Sequence, residues 1–403
     1  MQSLVSSAGA GRIPGFSLLP LPCIHFGTGF LQVVGDIFKQ CVSNILLVTG
    51  QRSLDRSGVL PRLVAKLESG GTTIFRMHVD REPSPEVINR AVAQYRSSNI
   101  AAVLSVGGGS VLDAGKAVSA MLPQQLPVER FIEGQEGFLQ HDGRKVPFIA
   151  VPTTSGTGSE VTNNAVISNV GPEGFKRSLR HKAFVPDFAV IDPVLMTSVP
   201  RDLSAASGMD ACTQLLEAYV SPFASPYTDA LALSGLEHFS RSFIPVCTDR
   251  AGESSARSDI AYSALMSGIA LANAGLGIVH GFASSVGGFF DIPHGTLCAT
   301  LLLEATRENI RQLNALDRHH PALVKYGRAG EILSGKIAGD THSGCALLLE
   351  TLGLWQELLG FPALREFGIR ESDIGRITAI TRSKSNAVLL GEDNMRCILE
   401  ARL

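Results

Sequence analysis

The sequence has no excess of charge of either sign: 35 basic against 37 acidic residues leave a net charge of -2. Without a large positive field, neither a nucleic acid nor an anionic membrane surface is expected as the main partner. Cysteine is sparse and scattered. The seven residues Cys23, Cys41, Cys212, Cys247, Cys298, Cys345 and Cys397 form no C-x-x-C pair, which argues against a disulfide or zinc-finger framework and for buried free thiols in a reducing compartment. No uninterrupted apolar run reaches membrane-spanning length. The stretch from Met1 to Pro20 lacks a basic segment leading into a long apolar core, so no secretory signal is expected. There is no internal repeat and no low-complexity tract. These absences together predict a soluble cytoplasmic protein.

What is present is an ordinary globular balance, 45% hydrophobic and 18% charged, in a chain of 403 residues, too long for one core and so expected to form two domains. In the first half, Ile45–Thr49, Thr73–Val79, Ala101–Val106, Phe148–Pro152 and Phe188–Ile191 read as buried strands. Between them lie amphipathic stretches such as Pro85–Ser98, where Val87, Ile88, Ala91, Val92 and Tyr95 recur at helical spacing. That alternation predicts a mostly parallel, Rossmann-like sheet with helices on both faces. Beyond about Pro200 the pattern becomes helical, as in Asp210–Val220, Pro226–Phe239 and Ser258–Ala274. The Asp192-Pro193 turn and the loop to Arg201 mark the boundary, giving an α/β dinucleotide-binding domain over residues 1–197 and an all-α domain over 198–403.

Two loops in the first half have ligand-binding chemistry. The strand ending at Val106 runs into Gly107-Gly108-Gly109-Ser110 and then into the helical Val111–Ala117. Glycines let backbone N–H groups approach a pyrophosphate, and a helix N-terminus adds favourable partial charge. The spacing is not G-x-G-x-x-G, and a tight turn would explain this loop alone. The second loop, Pro152–Glu160, crowds hydroxyls and glycines at another strand's carboxyl end, where ligands sit in open α/β sheets. A dinucleotide lying across both explains the pair better.

The second half has candidate metal ligands. Asp210 stands at the start of a strongly helical run, with Gln214 and Glu217 on the same face. Val279-His280-Gly281 and Pro293-His294-Gly295 place two histidines 14 residues apart. One carboxylate and two imidazoles suit a divalent zinc or iron ion with an open coordination position. Taken singly, each histidine is more often structural.

These pieces, in this order and spacing, resemble the iron-containing (group III) alcohol dehydrogenases. The match runs through Gly107-Gly108-Gly109-Ser110 with Asp113 and Lys116, the Pro152–Glu160 loop, Gly208-Met209-Asp210-Ala211, Val279-His280-Gly281 and Pro293-His294-Gly295. It extends from His25-Phe26-Gly27-Thr28-Gly29 to the C-terminal helix. The resemblance implies an enzyme that moves a hydride between an alcohol and NAD or NADP with the help of Fe2+ or Zn2+, acting as a homodimer or larger homo-oligomer on a small-molecule alcohol or carbonyl. It places Gly107, Gly108, Gly109 and Ser110, with Asp113, at the pyrophosphate, Thr153, Thr154 and Thr157 at the nicotinamide end, and Lys176 at the ribose. It makes Asp210, His280 and His294 the metal-binding and catalytic set.

Three departures from the family pattern bear on chemistry. The usual second ligand, a histidine one helical turn after the aspartate, is Gln214, a weak neutral donor that makes zinc as credible as iron. The histidine often found one turn after the third ligand is Ser284, which suggests a substrate unlike simple primary alcohols and leaves polyols, sugar acids and aldehydes open. After the strand Ile45–Thr49, where an aspartate often holds the ribose hydroxyl, stands Gly50. With Arg52 nearby this favours tolerance of the NADP phosphate; the plainer reading is a turn with Arg52 in solvent. Asn164, Phe282, Phe289 and Phe290 are candidates to shape the pocket. The competing readings are a degenerate relative that binds dinucleotide without catalysis, and a dehydroquinate synthase-like lyase. The lyase would need Lys and Arg clustered near the metal, and the sequence around the ligands has none.

Overall fold

The structure is a computed structural model that describes residues 13–39, 44–50 and 58–403. Arg52 and Cys41 lie outside the described residues. Eight strands are described: β1 (Cys23–Phe26), β2 (Asn44–Gly50), β3 (Thr73–Val79), β4 (Ile100–Gly107), β5 (Phe148–Pro152), β6 (Asn164–Asn169), β7 (Phe175–Arg180) and β8 (Phe188–Ile191). Six of them form one parallel sheet in the order β1-β8-β5-β4-β2-β3. The chain leaves β2 for β3 on one side and returns to β4 on the other, so the carboxyl ends of β2 and β4, at Gly50 and Gly107, flank a topological switch point.

The central strands β2, β4, β5 and β8 are near-continuous apolar runs because both faces are covered. Against one face pack α1 (Val33–Lys39) and α2 (Val59–Ser69), where Val34, Leu60 and Leu63 meet Ile45, Leu47, Leu104 and Val151. Against the other lie α3 (Pro85–Tyr95) and α4 (Gly109–Met121), where Ile88, Val92 and Leu112 meet Leu46, Val48, Val103 and Ala150. The start of α3 is encoded locally: the Ser84 hydroxyl accepts a hydrogen bond from Val87 N–H at 3.3 Å, and Pro85 occupies the first turn.

The rest of the chain is helical: α5 (Arg201–Val220), α6 (Pro226–Cys247), α7 (Ser254–Ala274), α8 (Ile278–Phe289), α9 (His294–Leu316), α10 (Pro321–Ser334), α11 (Thr341–Leu359), α12 (Glu371–Ile380) and α13 (Glu392–Glu400). Among the described residues no single helix is long and apolar enough to cross a membrane. Phe239, Phe243 and Trp355 form an aromatic knot in the helical core, with Phe239 and Phe243 stacked at 4.4 Å between centroids.

Three features differ from the sequence expectation. The helix carrying Asp210 begins at Arg201, so Asp210 sits mid-helix; Ser207 and Gly208 are weak helix formers that mask the first turns. Strand β1 is too short and too exposed to show a pattern. The antiparallel hairpin β6–β7 stands apart from the main sheet and carries polar residues on both faces. It reaches the helical half, where the Gly171 amide donates to Gly288 O at 3.0 Å. A second junction is tighter. Gly158 has φ +62, and a Cβ there would fall 2.4 Å from Cα of Gly268, so the Pro152–Glu160 loop and α7 touch backbone to backbone.

Candidate active site

Three helices converge on one point. α5 contributes Asp210, 1% exposed, from its middle; α8 contributes His280 from its first turn; α9 begins at His294 and brings Cys298 to the same face one turn later. Asp210 Oδ1 lies 3.3 Å from His280 Nε2 and 3.4 Å from His294 Nε2. Cys298 Sγ lies 3.9 Å from each of those nitrogens. One donor atom from each of the four residues falls within 4.8 Å of the others. The sequence singles out Asp210 and both histidines; Cys298 is there only one of seven scattered cysteines read as buried free thiols. The signal that could have found it is the His294-x-x-x-Cys298 spacing on a helix.

The donor set fits a divalent cation. Asp210 Oδ1 is buried and receives no hydrogen bond, and His294 Nδ1 is also unpartnered, so the carboxylate oxygen faces two imidazole nitrogens with nothing but charge to satisfy it. Burial works against the Asp210 carboxylate, but the charge of His294 and the contact with His280 outweigh it and pull its pKa far below the usual range. Burial likewise disfavours charged imidazoles, yet Cys298 and Asp210 push His294 up to about 9, and Cys298 and Glu217 raise His280 well above its ordinary value. A cation would take the place of those protons.

Glu217, two turns along α5 from Asp210, orients the site. Its Oε2 lies 2.7 Å from His280 Nδ1, and its Oε1 accepts the Val279 amide at 2.7 Å. The first contact makes Nδ1 the protonated nitrogen and leaves the Nε2 lone pair for a metal. Glu217→Gln is therefore expected to weaken metal affinity by about 10- to 100-fold with the fold retained, as checked by zinc competition against a chromophoric chelator. Unchanged affinity would show that the tautomer is set elsewhere. Gln214, expected as a weak ligand, has its Oε1 accepting from Ser267 Oγ at 2.7 Å.

The two loops expected to hold the cofactor meet at the sheet's carboxyl edge. Gly108 caps α4, and the Thr153 amide donates to Gly107 O at 2.9 Å. A Cβ on Gly109 would lie 2.7 Å from the Thr157 methyl, and one on Gly108 would lie 3.2 Å from Thr154 Oγ1. Ser110 follows in the first turn of α4, so the two loops meet at a helix N-terminus. Gly50 lies on the neighbouring strand end. Asp113 is placed differently from the other expected cofactor residues. Its carboxylate accepts from Ser159 Oγ at 2.5 Å and Val166 N–H at 3.0 Å, so it anchors the second loop from beneath. Lys176, on β7, is ion-paired with Glu82 and passes beside Gly287 of α8. Ser284 Oγ donates to His280 O at 3.0 Å and accepts from Lys384 Nζ, also at 3.0 Å. Lys384 arrives from the loop after α12 and has φ 50, unusual for a residue with a side chain.

Comparison with known proteins decides the family. The profile of the iron-containing alcohol dehydrogenases matches residues 22–193, and that of the Fe-containing alcohol dehydrogenase C-terminal region matches residues 204–401. The chain belongs to the iron-containing alcohol dehydrogenase family. It is 30% identical to the NADPH-dependent butanol dehydrogenase of Clostridium saccharobutylicum over 94% of this chain and 95% of that protein. It is 31% identical to alcohol dehydrogenase 4 of Schizosaccharomyces pombe over 90% and 80% of the two chains. Among solved structures, a 1,3-propanediol oxidoreductase superposes with a TM-score of 0.86 at 28% identity, covering 97% of this chain and 100% of the other. As an iron-containing alcohol dehydrogenase, the protein is a metal-dependent, NAD(P)-linked oxidoreductase acting on CH–OH groups of small molecules.

Proposed function

We propose that Asp210, His280 and His294 hold the divalent cation, and that the Gly107–Ser110 turn with Thr153, Thr154 and Thr157 holds NAD or NADP. The observation that carries this reading is the buried, undonated Asp210 Oδ1 facing two Nε2 atoms. When bound, the cation supplies Lewis-acid polarisation of the substrate oxygen and the nicotinamide supplies the hydride acceptor. The chain's own residues do the positioning. Asp210 provides the negative charge, Glu217 fixes the ring of His280, and the amides at the start of α4 hold the pyrophosphate. Lys176, on the hairpin beside Gly287 of α8, is the candidate for the cofactor ribose, and Gly50 leaves room for a 2′-phosphate.

The substrate class follows from Ser284 and Lys384. A hydroxyl and an ammonium one turn along α8 from His280 favour a substrate with further hydroxyls or a carboxylate, a polyol or sugar acid, over a simple primary alcohol. We also place the domain division at 197/198, supported by the end of β8 at Ile191 and the start of α5 at Arg201. A homodimer or larger assembly in the cytoplasm, without nucleic-acid or membrane partners, completes the reading; the near-neutral charge balance supports its last part.

The test is metal analysis of protein purified without chelator, NADH and NADPH fluorescence titrations, and oxidation of butan-1-ol, glycerol and gluconate side by side. The expected result is zinc or iron bound in stoichiometric amount and a higher kcat/KM for glycerol or gluconate than for butan-1-ol. A preference for butan-1-ol would overturn the substrate class and leave the site standing. A metal-free protein with no NAD(P)-linked oxidation of any of them would overturn the site.

A further inference from the structure

Cys298 is the one sulfur in the cluster, and its surroundings are those of a ligand. It is fully buried, and the polar atoms it meets are His280 Nε2 and His294 Nε2, each at 3.9 Å. A tetrahedral zinc ion, with bonds of about 2.0–2.1 Å to nitrogen or oxygen and about 2.3 Å to sulfur, separates its donors by roughly 3.3–3.6 Å. The spacings of 3.3 and 3.4 Å between Asp210 and the two histidines fall on that scale, and those of the thiol lie a few tenths of an ångström beyond it. The thiol also has the right mounting. His294 and Cys298 sit one turn apart on α9, so both project toward Asp210 from the same face. The other candidate, Gln214, is one turn from Asp210 on α5, but its amide oxygen is already engaged by Ser267 at 2.7 Å.

We infer that Cys298, as the thiolate, is the fourth protein ligand, so that the site is an Asp-His-His-Cys centre rather than one completed by Gln214. The inference rests on the reading of Asp210, His280 and His294 as ligands. On coordination the thiol proton leaves to solvent, and the sulfur lone pair forms the bond to the cation. One thiolate and two imidazoles make a borderline-soft set, which selects zinc or cobalt(II) over magnesium or manganese. A zinc ion held by these four residues would still admit a substrate oxygen as a fifth donor.

Cobalt(II), added to the chelator-stripped full-length protein, is the probe. The expected result is an intense near-ultraviolet sulfur-to-cobalt charge-transfer band that saturates at one cobalt per chain. The band is lost in Cys298→Ser and kept when the exposed Cys23 and Cys397 are both changed to serine. X-ray absorption on the zinc-loaded parent needs no variant and is expected to show one sulfur at about 2.3 Å. Cobalt bound with only its visible ligand-field spectrum, or zinc with a nitrogen and oxygen shell alone, would overturn the thiolate assignment while leaving the three-ligand site intact. No cobalt bound at all would overturn both.

Discussion

Asp210→Asn is expected to lower kcat/KM for alcohol oxidation by about 10³-fold or more, because it removes the site's acidic oxygen donor and with it several kcal/mol of Lewis-acid stabilisation. The change is nearly isosteric, so packing around the 1% exposed side chain is kept. What is lost is the charge. The parent carboxylate confronts two imidazoles at 3.3 and 3.4 Å, and an amide in the same place can turn its NH2 group toward a lone pair that should face the cation. Metal content after gel filtration should fall well below one ion per chain, while the far-ultraviolet circular dichroism stays that of the parent.

The metal-free proteins separate a binding effect from a folding one. In the parent without metal, Asp210 is compensated by the raised affinity of His280 and His294 for protons. In the variant that compensation is not needed, and the histidines return toward neutrality. The two metal-free proteins should therefore unfold at similar temperatures, while added zinc stabilises the parent far more than the variant, in proportion to the logarithm of its excess over the dissociation constant. A variant that keeps a full complement of zinc and parental kcat/KM would show that the catalytic metal is held elsewhere.

The sequence made the sheet readable because its strands are local: four of the five named runs are apolar almost throughout, Thr73–Val79 keeps an apolar or β-branched residue at most positions despite Arg76 and His78, and each run lies within or on a strand of the structure. The hairpin β6–β7 escaped because its residues, Asn164, Ser168, Lys176 and Arg180 among them, show no apolar alternation. It is held by the main fold it packs on. In the site, Asp210, His280 and His294 could be picked out by neighbouring glycines and by resemblance. Cys298 could not be separated from the other thiols, because what distinguishes it is the pair of imidazoles, one of them from a different helix. Lys384 illustrates the same limit. It reaches His280 O at 2.7 Å from 104 residues away, and with Lys176 it puts positive charge near the Asp210, His280 and His294 cluster, whose own sequence neighbourhood has no Lys or Arg.

Lys116→Met is expected to cost about 3 kcal/mol or more of stability, the scale for leaving several buried acceptors without a charged donor, and to loosen cofactor binding with it. Lys116 is 1% exposed, and its ammonium lies within hydrogen-bond distance of five oxygens: Ser159 O and Oγ, Thr162 O and Oγ1, and Asn164 O. These belong to the segment that leads from the Thr153–Thr157 loop into β6. Burial draws the lysine pKa down to about 8 in spite of Asp113 and Glu160, so the charge itself is held at a cost. Its value lies in the partners it satisfies. Methionine fills the volume but leaves the carbonyls of Ser159, Thr162 and Asn164 without this donor, and leaves Asp113 with only Ser159 and Val166 to stabilise its charge. The expected signs are a lower urea midpoint and a weaker NADPH fluorescence titration, since the loop proposed to lie under the pyrophosphate rests on this segment. Asp113→Asn combined with Lys116→Met removes both charges and should recover part of the loss, a coupling that independent effects would not show. A single variant as stable as the parent would mean that water replaces the ammonium, and that the second loop is held by its backbone junction with α7 at Gly158 and Gly268 instead.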